Sequence, residues 1–328
     1  MSITADEFEI FIVTYNRADM LQAAIESCLQ QDVHGVSITI LDNASTDHTA
    51  EVVASFKNAN IQHVPSEKNI GFFGNIKRSQ QLCSKKYVLI FHDDDQLHPQ
   101  YVQTAYNQLK LHPDANLAVS NFETIPAQST PVYSTHKNQA ILKLDQTHFA
   151  ASLYVKNKIA FCSAVYRQNA LKSIDFTKLE GKFGKWGDRP IMVEALGTGT
   201  AIVLTGAYVF TGRHSEQDTH QKKTQPPHTL WLNREKFFLD ILGDKIPSYQ
   251  GLCFCIMNHR RLKSGYKRRI AKGIEYKAYL SDAFSIGAVT RKSWRTSWLA
   301  PRIIQNIFNR YSTRYLRKHF SIGQEKSW

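Results

Sequence analysis

The chain of 328 residues contains no apolar run of about 18 or more residues, the length that a membrane-spanning helix requires. Its N-terminus also lacks the basic, apolar and small-residue parts of a secretory signal. With 42% hydrophobic residues, the composition is that of a folded globular protein. We therefore expect a cytoplasmic protein that is neither exported nor inserted into a membrane.

Cysteine is scarce, and its spacing excludes the usual structural roles. The five cysteines are an odd number without zinc-type spacing, and most of them lie in apolar segments, which predicts reduced core residues. Cys253 and Cys255 resemble half of a metal site, but no second Cys or His pair at ligand spacing completes it.

The positive charge is confined to one end of the chain. Residues 256–328 carry 17 Lys and Arg against three acids, a net charge of +14, whereas the remaining 255 residues have a net charge of −1. Such a segment suits an anionic partner better than it suits a general solubility role.

The first 120 residues alternate short β-rich runs with amphipathic stretches, which predicts a mostly parallel sheet flanked by helices. Strands are expected at 8–14, 36–42, 61–65, 87–92, 158–166 and 201–210. Helices are expected at 17–31, after Asp47, at 72–83, from Pro99 to about 111, and at 189–196. Polar clusters follow three of the strands, where open α/β sheets bind ligands.

Residues 126–145 are polar and weakly patterned, so we expect a flexible loop near an acceptor there. From about 229 to the end the pattern is helical. This organisation predicts a catalytic domain at 1–225, with a ligand-binding part at 1–125 and an acceptor part at 126–225, followed by a helical basic region at 226–328.

The strongest chemical signal is the run His92, Asp93, Asp94 and Asp95 directly after an apolar strand. Adjacent carboxylates repel one another unless a cation or strong donors hold them. Oxygen ligands of this type suit Mg²⁺ or Mn²⁺ together with substrate phosphates. A solvated acidic turn that caps the following helix is the alternative.

Four strings in order, FIVTYNR, ILDNASTD, NIGFFGN and FHDDDQLHP, resemble the family 2 glycosyltransferases with the GT-A fold. The resemblance is firm over residues 8–125, looser to about 220, and fades beyond. It implies an α/β GT-A fold and a nucleotide-sugar site. The residues that it assigns to the nucleotide sugar are Thr14, Tyr15, Arg17, Asp42, Asn43, Ser45, Asn69, Gly71, Asn75 and Asp93. Taken singly, these residue types are also ordinary turn chemistry.

The resemblance also implies the metal ligands. With Pro99 as the anchor, His92 replaces the family's leading aspartate, Asp94 falls on the metal-binding carboxylate, and Asp93 faces the ribose or diphosphate. Asp95 is a further candidate ligand, and the division of labour among the three aspartates is left open.

Two later segments complete the implied site. In GKWGDRP, Asp188 corresponds to the catalytic base, although Gly187 stands where the family commonly has Glu; an N-cap for the next helix is the alternative. In TGRHSEQ, the implied roles are phosphate contact for Arg213 and metal ligation for His214.

The sequence therefore predicts an inverting, metal-dependent transferase that uses Mn²⁺ or Mg²⁺. The donor is a nucleoside-diphosphate sugar, with uridine favoured by Asp42. The acceptor is a glycan or lipid-linked hydroxyl in bacterial capsule, O-antigen or lipopolysaccharide synthesis. A sugar nucleotidyltransferase is the alternative among enzymes, although the Gly-rich phosphate loop typical of that class does not follow Thr14. A catalytically inactive module that binds sugar or nucleic acid remains as the non-enzyme alternative.

The basic segment combines cations with Trp294, Trp298 and an apolar helical face after Pro301. This pattern predicts peripheral attachment to the anionic inner face of the cell membrane. A solvated helical cap on the core is the alternative, and nucleic acid is not an expected partner.

Overall fold

The computed structural model describes residues 7–33, 35–57, 60–133, 139–155, 158–214, seven positions between 230 and 241, and residues 321–324. These residues form a three-layer α/β structure with one central sheet of ten strands. None of the described helices is long and apolar enough to cross a bilayer.

The N-terminal half of the sheet is parallel. It comprises β1 (Phe8–Thr14), β2 (Ser37–Asp42), β3 (Ile61–Pro65) and β4 (Tyr87–His92), in the spatial order β3-β2-β1-β4. Strand β1 is buried throughout, because helices cover both faces of the sheet. Its alternate residues divide between two cores: Phe11 and Val13 on one face, Ile10 and Ile12 on the other.

The second half of the sheet mixes both directions. It comprises β5 (Asp95–Leu97), β6 (Ala115–Pro126), β7 (Ala140–Leu144), β8 (Val165–Arg167), β9 (Thr200–Arg213) and β10 (Ser321–Gln324). Strand β8 runs antiparallel between β4 and β6, while β6 and β9 are parallel. Strand β5 pairs with β9, so that the segment after β4 is fastened beside Thr211.

The described helices are α1 (Ala18–Leu29), α2 (Thr49–Ser55), α3 (Gly71–Leu82), α4 (Tyr101–Leu111), α5 (Gln146–Val155), α6 (Gln168–Lys172), α7 (Phe176–Phe183) and α8 (Asp188–Glu194). Short 3₁₀ turns occupy Phe161–Ser163 and Gly184–Trp186. The predicted strands at 8–14, 61–65 and 87–92 match β1, β3 and β4 residue for residue.

Several expectations were wrong. Residues 126–145 are not one loop, because β6 extends to Pro126 and 140–144 form β7 between β9 and β10. Residues 158–166 are not one strand, since the 3₁₀ turn at Phe161–Ser163 interrupts the segment. Ile159 forms only an isolated bridge with Asn121, and the strand that follows is Val165–Arg167. Helix α4 begins at Tyr101 rather than at Pro99.

The predicted basic region at 226–328 lies largely outside the described residues, as does its amphipathic helix. The exceptions are the seven described positions between 230 and 241, which are helical, and Ser321–Gln324, which is a strand antiparallel to β7. The expectation of helix to the end is wrong at those last four residues.

Candidate active site

Three strand ends converge at one edge of the sheet. In the parallel register Thr14 lies opposite Asp42, and Val13 lies opposite His92. The loops that follow β1, β2 and β4 therefore start side by side. This confirms that the polar clusters gather in one crevice, as parallel pairing demands.

Asp93 is anchored to the loop after β1. Its Oδ1 lies 3.0 Å from Arg17 Nη1, and the backbone N–H of Tyr15 donates to its Oδ2 at 3.4 Å. The side chain is almost fully buried. Burial raises the pKa of Asp93 to about 6, and the positive charge of Arg17 opposes that rise. Asp93 is thus a buried carboxylate held against a cation.

Asp94 and His214 meet although they are 120 residues apart. Asp94 Oδ2 lies 3.0 Å from His214 Nε2 and 3.5 Å from Arg17 Nη1. Nδ1 of His214 is buried and has no hydrogen-bond partner within the described ranges. Adjacent ligands of an octahedral Mg²⁺ or Mn²⁺ lie about 3 Å apart, so the spacing and the oxygen–nitrogen donor pair fit such a cation.

Asp95 faces a different set of groups. Its Oδ1 accepts the N–H of Gly212 at 3.3 Å, and its Oδ2 lies 3.7 Å from His92 Nδ1. The thiol of Cys162 forms a hydrogen bond with the same carboxylate. Burial raises the pKa of Asp95 well above its usual range, with Asp94 adding to the effect. Ligation of a common metal by Asp95 and Asp94 stays a prediction.

The loop after β2 interlocks with the loop after β1. Asp42 Oδ1 accepts the N–H of Ser45 at 2.9 Å, and its Oδ2 lies 3.1 Å from His63 Nε2. Ser45 Oγ in turn accepts the N–H of Asn16. Tyr15 in the first loop is 43% exposed, so its ring is free to contact a ligand. These contacts hold the Asp42 carboxylate in one orientation.

Asn43, Asn69 and Gly71 form one hydrogen-bonded corner. The amide of Asn43 donates to Asn69 Oδ1 at 2.9 Å, and Asn69 Oδ1 also accepts the N–H of Gly71. Gly71 has a φ of +74°, a conformation that favours glycine, and it starts α3. Asn75, one turn later, is buried and donates to the carbonyl of Leu41. Asn75 therefore supports the loop from below.

Sequence reasoning missed two residues that contact Asp42, namely His63 and Arg78. The Arg78 guanidinium donates to the Asp42 carbonyl, to Asn75 Oδ1 and to the Val64 carbonyl. The only sequence signal was an arginine on the inner face of an amphipathic helix, which is too common a feature to single out. Arg78 ties β2, β3 and α3 together beneath the loop.

Asp188 is the first residue of α8 and lies close to the end of β4. Burial lowers the pKa of His92, and the charges of Asp94 and Asp188 oppose this. Asp188 also adds to the effect of burial that raises the pKa of Tyr166. Nε2 of His92 and the hydroxyl of Tyr166 are buried, with no hydrogen-bond partner within the described ranges. The charge of Asp188 thus acts on two groups that have buried, unpartnered polar atoms among the described residues.

The structure gives a reason for Gly187 in front of Asp188. A Cβ at this position would lie 2.3 Å from Cζ of Phe73 on α3. A Glu there would need that ring to move, so tight packing disfavours the Glu-Asp pair that the family commonly has.

Arg213 is exposed, and its carbonyl accepts the N–H of Ala127. Beside His214 lies a cleft of about 380 Å³, open to solvent. Its polar lining consists of Asn16, Arg17, Asp19, Asp47, His48, Gln128 and His214. The cleft thus borders the Arg17 and His214 side chains that contact Asp94.

Comparison with known proteins finds similarity to glycosyltransferases. The model of the family described as Glycosyl transferase family 2 matches residues 9–174. The chain is 22% identical over 185 residues to glycosyltransferase GlyA of Streptococcus pneumoniae, covering 55% of this chain and 24% of GlyA. It is 28% identical over 86 residues to WfaP of Escherichia coli, a UDP-Glc:alpha-D-GlcNAc-diphosphoundecaprenol beta-1,3-glucosyltransferase, covering 26% of this chain and 34% of WfaP. The chain thus spans a quarter to a third of these relatives.

The fold is shared with TarS of S. aureus. The structure of TarS 1-349 in complex with UDP-GlcNAc superposes with a TM-score of 0.61 at 14% identity, covering 97% of this chain and 93% of TarS 1-349. The UDP complex of the same protein gives a TM-score of 0.59. These values confirm the predicted α/β fold class, with a large central sheet flanked by helices.

Proposed function

Since the chain belongs to glycosyl transferase family 2, we propose that it moves a sugar from a nucleoside-diphosphate sugar to a hydroxyl group with inversion at the anomeric carbon. The observation that carries this proposal is the meeting of Arg17, Asp93, Asp94 and His214 at the edge of the sheet where Asp42 also lies.

We propose that the donor carries uridine. Asp42, held by Ser45 and His63, offers a fixed acceptor for a base N–H, and the exposed ring of Tyr15 offers a stacking surface. We propose that Asp93 accepts from the ribose hydroxyls. The description of TarS in complex with UDP-GlcNAc supports a uridine donor in this fold.

Asp94 and His214 are the residues that would hold Mn²⁺ or Mg²⁺. When bound, such a cation neutralises charge on the departing diphosphate. Arg17 lies within 3.5 Å of Asp94, so its guanidinium is positioned to contact a phosphate oxygen as well. Arg213, exposed next to His214 in the sequence, is the proposed second contact for the diphosphate.

Asp188 is the proposed general base. It takes the proton from the acceptor hydroxyl while the acceptor oxygen forms a bond to the anomeric carbon. The bond from that carbon to the diphosphate oxygen breaks on the opposite side, and its electron pair leaves with the nucleoside diphosphate. Attack opposite to the leaving group inverts the configuration.

The proposed acceptor is a glycan or a lipid-linked sugar in bacterial surface polysaccharide synthesis. The similarity to GlyA and to WfaP, whose name specifies a diphosphoundecaprenol-linked acceptor, supports this class. A lipid-linked acceptor resides at the membrane, and the basic segment of residues 256–328 would bring the enzyme to the anionic inner face.

The test is to incubate the full chain with Mn²⁺, a panel of nucleotide sugars and undecaprenyl-diphosphate sugar acceptors. We expect release of nucleoside diphosphate that requires the metal and an acceptor, with one uridine sugar preferred. Release of pyrophosphate from a nucleoside triphosphate and a sugar phosphate would instead identify a nucleotidyltransferase. Donor binding without turnover on any acceptor would favour an inactive binding module.

A further inference from the structure

Three potential metal ligands of different chemistry lie together next to Asp94 in the sequence or in space. His92 ends β4, Asp95 begins β5, and Cys162 lies in the 3₁₀ turn Phe161–Ser163. Asp95 and Cys162 are 67 residues apart in the sequence, so only the tertiary structure brings these groups together.

The spacing of the three groups suits a small cation. One ring nitrogen of His92, one Asp95 oxygen and Cys162 Sγ all lie within 4.8 Å of one another. His92 Nδ1 and Asp95 Oδ2 are 3.7 Å apart, which is too long for a hydrogen bond. Ligand atoms of a tetrahedral zinc site lie roughly 3.3–3.8 Å apart, as follows from bond lengths of about 2.0–2.3 Å. Side-chain movements of about 1 Å would therefore complete such a site.

The groups are held in place by packing. Asp95 and Cys162 are only 5% and 3% exposed. The His92 ring stacks on Phe161 with centroids 5.7 Å apart, and Phe72 contacts it edge-on at 6.0 Å. Nε2 of His92 has no hydrogen-bond partner in the part of the chain that the structure describes. The imidazole is therefore oriented by aromatic contacts.

The ligand types select the metal. Imidazole nitrogen, carboxylate oxygen and thiolate sulfur together suit Zn²⁺ rather than Mg²⁺ or Mn²⁺, which prefer oxygen. Three protein ligands leave one position for water. Binding would deprotonate the Cys162 thiol and release its proton to solvent, so that the thiolate and the carboxylate balance a dication.

We propose that His92, Asp95 and Cys162 form a second cation site for a thiophilic divalent metal such as Zn²⁺, distinct from the position between Asp94 and His214. An ion there joins the β4–β5 turn to the Phe161–Ser163 segment. The site is independent of the proposed transfer reaction, because its ligands and its test require no sugar donor.

The test uses Co²⁺, whose thiolate complexes absorb in the near ultraviolet, with the full chain carrying Cys253→Ser and Cys255→Ser. This background removes the closely spaced pair of cysteines as a competing thiolate source. We expect a saturable cobalt–thiolate band in this background, retained in Asp94→Asn and lost in Cys162→Ser. Cys83→Ser is the matched control, because Cys83 is equally buried and lies outside the cluster.

His92→Asn keeps the thiol and should weaken Co²⁺ binding at least tenfold. Zn²⁺ should displace the cobalt and abolish the band. Absence of the band in the folded background protein, survival of the band in Cys162→Ser, or its loss in Asp94→Asn would each overturn the proposal. The first of these outcomes is measured in the background protein alone. The proposal can therefore be overturned even if Cys162→Ser fails to fold.

Discussion

At the scale of single residues, Asp188 is the side chain on which the proposed reaction depends. It starts α8, and its charge reaches His92 and Tyr166, two buried groups at the end of β4 and on β8. A carboxylate at a helix start is also stabilised by the helix dipole, so a structural contribution and a chemical one coincide at this position.

Asp188→Asn should lower the turnover number by about 10² to 10⁴, the usual contribution of a general base. Donor affinity should change less than threefold, since the amide keeps the shape of the side chain. Steady-state kinetics and calorimetric titration with donor would separate the two effects. Asp175→Asn, at the start of α7, is the control and should leave both unchanged. Full turnover in Asp188→Asn would exclude the assigned role.

Asp93 makes a prediction about stability and pH. Burial raises its pKa to about 6 in the folded protein, from about 4 in the unfolded chain. The folded state therefore binds more protons between these values, and the free energy of unfolding falls as pH rises from about 4 to 6.

Asp93→Asn should accordingly raise the free energy of unfolding at pH 7 by on the order of 2–3 kcal/mol in metal-free buffer, with no gain below about pH 4. Denaturant titrations at several pH values would measure this. Asp19→Asn, on a side chain that is 72% exposed, serves as the control. A gain that is independent of pH would show that Asp93 does not titrate as described. The same variant should lose donor binding, because Asp93 is the proposed acceptor for the ribose hydroxyls. A gain in stability with a loss of binding is the usual trade-off at a functional carboxylate.

At the scale of elements, the pairing of β5 with β9 fixes the aspartate turn. Gly212 on β9 donates its N–H to the Asp94 carbonyl at 3.1 Å and to the Asp95 carboxylate at 3.3 Å. A Cβ at Gly212 would lie 2.2 Å from the Asp94 carbonyl oxygen. Because that atom belongs to the backbone, the turn itself would have to move.

Gly212→Ala should therefore lower turnover at least tenfold and weaken Mn²⁺ binding, with a stability loss of about 1–3 kcal/mol from overpacking. Gly181→Ala is the matched control: no atom lies within 4 Å of its added Cβ, and alanine inside α7 should stabilise by about 0.5–1 kcal/mol. Kinetics together with thermal unfolding would test both. Wild-type activity in Gly212→Ala would mean that the turn tolerates displacement.

At the scale of the whole molecule, the charge asymmetry predicts attachment to membranes. Nearly all excess charge lies in residues 256–328, outside most of the described structure. Deleting that segment would also remove β10, which pairs with β7 at the sheet edge. Neutralising cations is therefore a cleaner test than truncation.

The triple variant Arg260→Gln, Arg261→Gln and Lys263→Gln should bind anionic vesicles at least tenfold more weakly than the unaltered chain, at about 1 kcal/mol per cation. Vesicle co-sedimentation at low and raised salt would show it. The control replaces the exposed Lys57, Lys172 and Lys178 with Gln. Equal binding to zwitterionic and anionic vesicles would remove the membrane proposal.

The sequence by itself determined the parallel half of the fold and the edge at which the site lies. Strand β1 is apolar apart from Glu9 and Thr14, and Thr14, Asp42 and His92 each end a largely buried strand. Local patterning is sufficient here, because parallel strands in register must bring their carboxyl ends to one edge. The three adjacent aspartates could be found from the sequence because they directly follow one of these strands.

Only the tertiary structure decided which groups each aspartate meets. Asp93 and Asp94 face Arg17 and His214, whereas Asp95 faces Gly212, His92 and Cys162. Likewise, β7 is invisible in a polar stretch because its pairing with β9 and β10 comes from distant segments. Contacts between residues far apart in sequence depend on how the layers of the fold pack. The local periodicity of side chains does not identify which distant residue each one will contact.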